Sequence, residues 1–548
     1  MTANHSRHSR SAAIRHCATL AAVIGAGFGA VAASPGLAAA DTGSGAAPIV
    51  HIDSGAVRGA AGAESDSFLG LPYAAPPTGN LRWRRPHPPA PWQGVRDATQ
   101  FAPSCPQPMS ASAPPGPQSE DCLYLNVYTP TLRPDAGRPV LVWIHGGGLT
   151  TDAARNYDGS KLAADGAVVV TIDFRLGALG FLAHPALAHR PGGPTGNYGL
   201  MDQIAALRWV RDNIAQFGGD PHNVTIAGQS SGGLSVLALL VSQRSRGLFQ
   251  RAIVQSGAFA LNQVPLADAE VAGEAFAAQA GCPDQTAECL RQLPVSALLG
   301  SFPHDAIPGV IDGRILTQSI GTALADGQFA HVPVLDGINK IEELIFVAGK
   351  GVAVSGGSFV QIPYEPIGAD NYQSDIAAVL GVSADRAEAI AALYPLAAYR
   401  NANVAFSYVV SDANFACPAL QVDRWTSAYA PTFGYEFDDA NAPERFAPPP
   451  FPPAATHSSE LQYIFDQPNT PYPGTLTADQ QALASSMRAA WTSFAATGDP
   501  STAALPWPSF GDGEQVMSLI PPQPRLEAGF ADTHHCSFWS DATAAGPQ

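Results

Sequence analysis

Three short runs, Pro139–Ile144 (PVLVWI), Ala167–Phe174 (AVVVTIDF) and Val224–Ala227 (VTIA), are apolar at nearly every position. A strand with one face in water alternates polar and apolar residues, so a run apolar on both faces needs cover on both. Between the second and third runs lies Gly199–Phe217 (GLMDQIAALRWVRDNIAQF), apolar at helical spacing with its charges on the other face. Doubly covered strands alternating with amphipathic helices predict an α/β architecture: a large central, mostly parallel sheet flanked by helices. Further strands are expected at Gln250–Gln255, Val332–Gly337 and Ala430–Phe437. The Ala-rich stretches 264–300 and 365–425 read as helical insertions over the sheet. No flexible linker bounds them, so residues 41–548 read as one domain.

Only 14% of the 548 residues are charged against 46% hydrophobic, which excludes a disordered chain. Acids outnumber bases 46 to 29, a formal net charge of −17. Without a basic face to displace counterions, nucleic acid is not an expected partner. The negative field favours encounter with neutral or cationic small molecules.

Arg7, Arg10 and Arg15 precede an acid-free apolar run, Ala18–Ala33, and Ala38-Ala39-Ala40 follows. A charged start, an apolar middle and a small-residue cleavage site make a secretory signal. The run is too short to span a membrane comfortably. Residues 1–40 are therefore expected to be removed after Ala40, and the remainder exported without a stable membrane anchor. Of seven cysteines, Cys17 falls in that leader. Cys105, Cys122, Cys282, Cys289, Cys417 and Cys536 remain, an even set suited to disulfides, with fifteen pairings open. Nearness in sequence favours Cys105–Cys122 and Cys282–Cys289, leaving Cys417–Cys536. No Cys/His spacing suits a metal site, and no metal or cofactor is expected.

Gly228-Gln229-Ser230-Ser231-Gly232 is a Gly-x-Ser-x-Gly segment standing between the strand VTIA and an apolar helical run from Leu234. Small residues at both ends permit a strained strand–turn–helix that lifts the central hydroxyl off the sheet edge. The helix N-terminus beside it favours developing negative charge. His145-Gly146-Gly147-Gly148 directly follows the strand LVWI. Its glycines let bare amides turn toward one point, as an oxyanion requires. A phosphate-binding loop would be followed by Lys-Ser or Lys-Thr, and none follows here. Together the two segments point to acyl transfer.

Several longer stretches carry a family likeness: FLGLPYAAPPTGNLRW (68–83), EDCLYLNVYTP (120–130), FRLGALGFL (174–182), GNYGLMDQIAALRWVRDNIAQFGGDP (196–221), Gln255-Ser256-Gly257, WTSFAATGDP (491–500) and Cys536-Ser537-Phe538-Trp539. From about residue 48 to 540 the chain resembles the type-B carboxylesterase/lipase family, the cholinesterase-like branch of the α/β-hydrolases. The resemblance implies an α/β-hydrolase fold with helical insertions over the active site, and Ser230 as nucleophile. Gly337–Glu342 (GINKIE) is similar to the family's G-x-N-x-x-E, which makes Glu342 the triad acid, with Glu343 beside it as the competing carboxylate. His457 opens a segment similar to H-x-x-E-L-x-Y-x-F and becomes the general base. The order Ser230, Glu342, His457 is the order of such hydrolases.

By the same likeness the amides of Gly147, Gly148 and Ser231 hold the oxyanion, and Ser256 and Glu460 support the site through hydrogen bonds. Gln229 stands where cholinesterases carry Glu, and the segment between Cys105 and Cys122 has no Trp. Both argue against dedicated hydrolysis of choline esters, whose cations bind aromatic rings. Leu149, where aromatic residues are common in the family, is expected to widen the site. The expectation is a secreted serine carboxylesterase that hydrolyses small neutral carboxylic esters through an acyl-enzyme. A lipase on long-chain acylglycerols and a non-catalytic binding module are the alternatives, the complete Ser230, Glu342 and His457 set opposing the last.

Overall fold

The runs expected to need cover on both faces lie at the centre of a ten-stranded sheet. The computed structural model describes residues 47–543, apart from 111–112, 131, 135, 189–192, 194, 300–308, 356–357, 364–365, 448–450 and 528. The expected signal segment and Cys17 lie outside the described residues.

In chain order the sheet contains β1 (Asp66–Pro72), β2 (Tyr124–Thr129), β3 (Arg138–Ile144), β4 (Val168–Ile172) and β5 (Gly219–Gln229). It continues with β6 (Arg251–Gln255), β7 (Val334–Asn339), β8 (Thr432–Phe437), β9 (Val516–Leu519) and β10 (Arg525–Glu527). Across the sheet the order is β10-β9-β8-β7-β6-β5-β3-β4-β2-β1. The strands from β4 through β9 in that order are parallel, and antiparallel pairs close both edges.

Alternate residues of one strand enter two different cores, which is why the central runs are apolar throughout. Val140, Val142 and Ile144 of β3 join Val168 and Val170 of β4 in one core, while Leu141 and Trp143 join Val169 in the other. Helix α1 (Tyr198–Asn213) is followed by a 3-10 turn, Ile214–Phe217, that stops at Gly218 with φ 85°. Helix α2 (Ser231–Val241) is buried at every residue and packs on β5 and β6. Helix α3 (Ala478–Thr497) starts from a capping box between Thr477 and Gln480 and contributes Met487 and Trp491 to the opposite core.

The two Ala-rich stretches form helices with cores of their own. Leu266–Gln279, Ala287–Gln292 and Val295–Leu299 gather Phe276 and Leu290 around Trp83. Tyr372–Leu380, Ala384–Leu393 and Ala402–Ser411 gather Ile376, Ile390 and Phe406 with Trp539. One π-helical turn, Asp412–Ala416, joins the last of these to Cys417–Ser427.

Disulfides link Cys105–Cys122, Cys282–Cys289 and Cys417–Cys536. Beside the last, His534 is buried between two carboxylates, Nδ1 2.6 Å from Asp412 Oδ1 and Nε2 2.9 Å from Glu436 Oε1. Burial alone would lower its pKa, but Asp412 and Glu436 raise it to about 10. Among the described residues no helix is long and apolar enough to cross a membrane.

Candidate active site

Parallel strands deliver their following loops to one edge of the sheet, and a site in such a fold belongs at that carboxyl edge. Strand β5 ends at Gln229, and Ser230 turns the chain into α2 at φ 58° and ψ −129°, a sparsely populated conformation for a residue with a side chain. Two bonds hold it there: the Ser230 amide donates to the Gln255 carbonyl at 2.8 Å, and its carbonyl accepts from Leu234 N at 2.9 Å. A side chain at Gly232 would run into the carbonyls of Ile144 and His145. The turn therefore seats directly on the end of β3. Ser230 is partly exposed, whereas Gln229 and Ser231 on either side are buried.

The glycine segment after β3 curls over the same spot. Gly147 and Gly148 take φ 86° and 64°, and a side chain at Gly147 would strike the Thr151 carbonyl. The Gly147 carbonyl accepts from the amides of Thr150 and Thr151 at 3.2 and 3.0 Å. Ser231 Oγ accepts from Leu149 N at 3.1 Å, fastening the segment to α2. Leu149 itself is buried at φ 55°. The amides of Gly147, Gly148 and Ser231 donate to no acceptor among the described residues.

His457 lies in the loop after β8, and Glu342 in the loop after β7. His457 Nδ1 is 2.6 Å from Glu342 Oε2. The other oxygen, Oε1, accepts from the Asn339 amide at 2.7 Å, and the Glu342 carbonyl accepts from His457 N at 3.2 Å. Glu343, equally buried, has its own amide on Ser411 Oγ at 3.0 Å and stands at the start of the helix Leu344–Lys350. The rings of Phe346 and Phe415 flank the imidazole at 5.1 and 5.5 Å. Phe415 comes from the π-helical turn, a distortion frequent at functional sites. On its far side, His457 Nε2 is 3.2 Å from Gln229 Nε2, the residue before Ser230.

Glu460 is buried behind this pair. It accepts from Gln255 Nε2 at 3.1 Å and from Asn339 Nδ2 at 2.6 Å. Burial first, and the negative charge of Glu342 second, raise its pKa to about 7. Asn339 thus holds both carboxyl groups, one through its amide and one through its side chain. Ser256 differs from expectation: its hydroxyl is buried with no hydrogen-bond partner among the described residues. Its contribution is through the backbone, a left-handed turn at φ 50° whose amide donates to Gly337 at 2.7 Å. The contact of Gln229 with His457, 228 residues away, and the rings of Phe346 and Phe415 have no counterpart in a local sequence signal. Asn339 was visible only as the middle letter of G-x-N-x-x-E.

Residues 46–539 match the Carboxylesterase family. The chain belongs to that family. It is similar to a pyrethroid hydrolase, Ces2e, of Rattus norvegicus, at 35% identity over 86% of either chain. It is equally similar to the para-nitrobenzyl esterase of Bacillus subtilis (strain 168), at 35% identity over 87% of this chain and 96% of the relative. Among solved structures, a thermophilic PNB esterase superimposes with a TM-score of 0.75 at 32% identity, covering 90% of this chain and 99% of that one. This carboxylesterase is a carboxylic ester hydrolase, and its sheet is that of an α/β-hydrolase. Small-molecule esters are the substrates of such an enzyme.

Proposed function

We propose that this esterase is a secreted serine hydrolase of neutral carboxylic esters, working through an acyl-enzyme with Ser230 as nucleophile, His457 as base and Glu342 as the acid that orients it. One contact carries the reading: the 2.6 Å bond between Glu342 Oε2 and His457 Nδ1. A carboxylate there keeps the proton of the neutral imidazole on Nδ1, leaving Nε2 an unprotonated acceptor. The Gln229 amide beside Nε2 can donate to that lone pair, and it stands one residue from the hydroxyl that must replace it.

In the first half-reaction Ser230 Oγ bonds to the ester carbonyl carbon as its proton passes to His457 Nε2. The carbonyl electron pair moves onto oxygen, where the free amides of Gly147, Gly148 and Ser231 receive it. Collapse breaks the bond to the alcohol oxygen, which leaves with the proton from Nε2. Water then repeats the sequence on the acyl-serine and releases the acid. Glu342 stabilises the imidazolium throughout without taking its proton.

Neutral substrates suit the formal charge of −17. Export after cleavage at Ala40 suits three disulfides, which persist in oxidising compartments. A fluorophosphonate should label the enzyme once, on Ser230, and the exported protein should have an intact mass beginning at Asp41. Ser230→Ala should lose labelling and all but a trace of p-nitrophenyl ester turnover, with its unfolding temperature kept. Turnover within tenfold of the parent in that variant would reject the assignment.

A further inference from the structure

The ester chemistry leaves unused the place where this acidic chain gathers its scarce positive charge. Arg85, Arg208, Arg244 and Arg314 line one cavity of about 280 Å³, whose walls contain no residue of the proposed triad. All four arginines are exposed. The described arginine ion pairs are elsewhere, at Arg82, Arg175, Arg211, Arg424 and Arg488. The carboxylates close in sequence form no ion pair with these four arginines among the described residues. Asp312 Oδ1 accepts from the amides of Arg314, Ile315 and Leu316, and Asp212 pairs with Arg211 at 2.8 Å.

The floor of the cavity is apolar and belongs largely to α1. Tyr198, Met201, Ile204 and Arg208 line it at intervals of three and four residues, a single stripe along one helix face. From Tyr198 to Arg208 that stripe runs about 15 Å along the axis. Arg244 is at the Arg208 end, its carbonyl 3.5 Å from an Arg208 guanidinium nitrogen. Partial burial first, then the neighbouring charges of Arg211 and Arg244, hold the Arg208 pKa below its ordinary value. Two cations crowded in this way are relieved by an anion between them.

At the other end Arg85 follows Trp83, which packs in one cluster with Tyr198. Tyr198 is only 4% exposed, and its hydroxyl has no hydrogen-bond partner among the described residues. That oxygen is sealed from the cavity and neighbours Gly196 and Arg175, so Tyr198 offers the cavity only its ring.

We infer that this cavity binds an elongated organic dicarboxylate, with one carboxylate between Arg208 and Arg244, an apolar chain across Met201 and Ile204, and the second carboxylate meeting Arg85. The volume is at the small end of ligand pockets, which span about 300–1,000 Å³. It has room for roughly nine water volumes, which suits a chain of about ten carbons.

Titration calorimetry and thermal shift on the mature enzyme, at fixed ionic strength, test this with sebacate, decanoate, decanol and sulfate. Sebacate should bind saturably and raise the unfolding temperature, decanoate should bind more weakly, and decanol and sulfate should not bind. Arg208→Ala and Arg244→Ala should each weaken sebacate about tenfold, the usual consequence of losing a hydrogen bond to a charged group. Arg85→Ala should remove the advantage of sebacate over decanoate while leaving the ligand-free unfolding temperature unchanged. Sulfate binding as well as sebacate would reduce the arginines to a diffuse anion patch and overturn the site. Undiminished sebacate affinity in any of the three variants would also overturn it.

Discussion

Replacing Glu342 by Gln keeps its shape and removes its charge, and the contacts around it dictate the outcome. The Asn339 amide, 2.7 Å from Oε1, needs an acceptor at that position. The Gln carbonyl must therefore occupy it, which turns the NH2 group toward His457 Nδ1 across the 2.6 Å contact. Facing a donor, Nδ1 gives up its proton and Nε2 acquires one. The atom meant to receive the serine proton is then already occupied. The opposite orientation sets the Gln NH2 against the Asn339 N–H, two buried donors face to face, at a cost of about 1–3 kcal/mol. That leaves roughly one molecule in five to one in 150 with the productive tautomer. Even these lack the negative charge that steadies the imidazolium, and full loss of the acid's role is worth about 10⁴ in kcat. Glu342→Gln should thus lower kcat between about 10²- and 10⁴-fold, with the unfolding temperature close to the parent's. Initial rates on p-nitrophenyl butyrate, normalised to active sites titrated with a fluorophosphonate, measure it. Glu343→Gln should stay within tenfold of the parent. Turnover within tenfold for Glu342→Gln, or collapse for Glu343→Gln alone, would refute the reasoning.

Glu460, with its pKa near 7, gives a pH signature. Between its unfolded value of about 4.3 and 7 the folded state binds the extra proton, so stability falls as pH rises through that window and levels off above it, by about 4 kcal/mol in all. The urea midpoint should drop from pH 5 to pH 7.5 in the parent and less so in Glu460→Gln; equal slopes would contradict the assignment. The Cys417–Cys536 bond spans 119 residues and the Cys282–Cys289 bond 7, which corresponds to about 5 against about 2 kcal/mol of loop-closure stabilisation. Paired Cys-to-Ser changes should therefore lower the unfolding temperature more at the first site, and the reverse order would count against it. His534→Gln leaves Asp412 and Glu436 without their buried cation and should cost about 3–5 kcal/mol in denaturant unfolding. In the parent this stabilisation is complete below pH 6.5 and is lost as pH climbs through about 10, so an alkaline melting curve that ignores the substitution would exclude it.

What could be read from the chain alone was whatever local pattern expresses fully. Strands β3, β4 and β5 announced themselves because both faces are buried, and the turn at Ser230 because its neighbours must be small. The pairing of cysteines close in sequence was legible for the same local reason, and the last pair followed by elimination. Edge strands were not. β1 contains Gly70 and Pro72 and is interrupted by a register shift between Phe68 and Leu71, so no alternation survives to be recognised. Contacts between distant parts of the chain were also silent: Gln229 with His457, Asn339 with Glu460, and the cavity that four chain segments build around α1. Ser256, expected to support the site through hydrogen bonds, does so through its backbone turn, with no partner for its hydroxyl among the described residues.

The seat of the Ser230 turn on the end of β3, stitched by Ser231 to the glycine segment, has a consequence for where the chain can vary. Backbone presses on backbone there, so a side chain at Gly147 or Gly232 cannot be added without moving the turn, and variation is better tolerated elsewhere. Phe346 and Phe415 touch the imidazole from a helix and a π-helical turn outside the sheet. Changes at those two aromatic positions reach the base through its packing while leaving the backbone of the serine turn untouched.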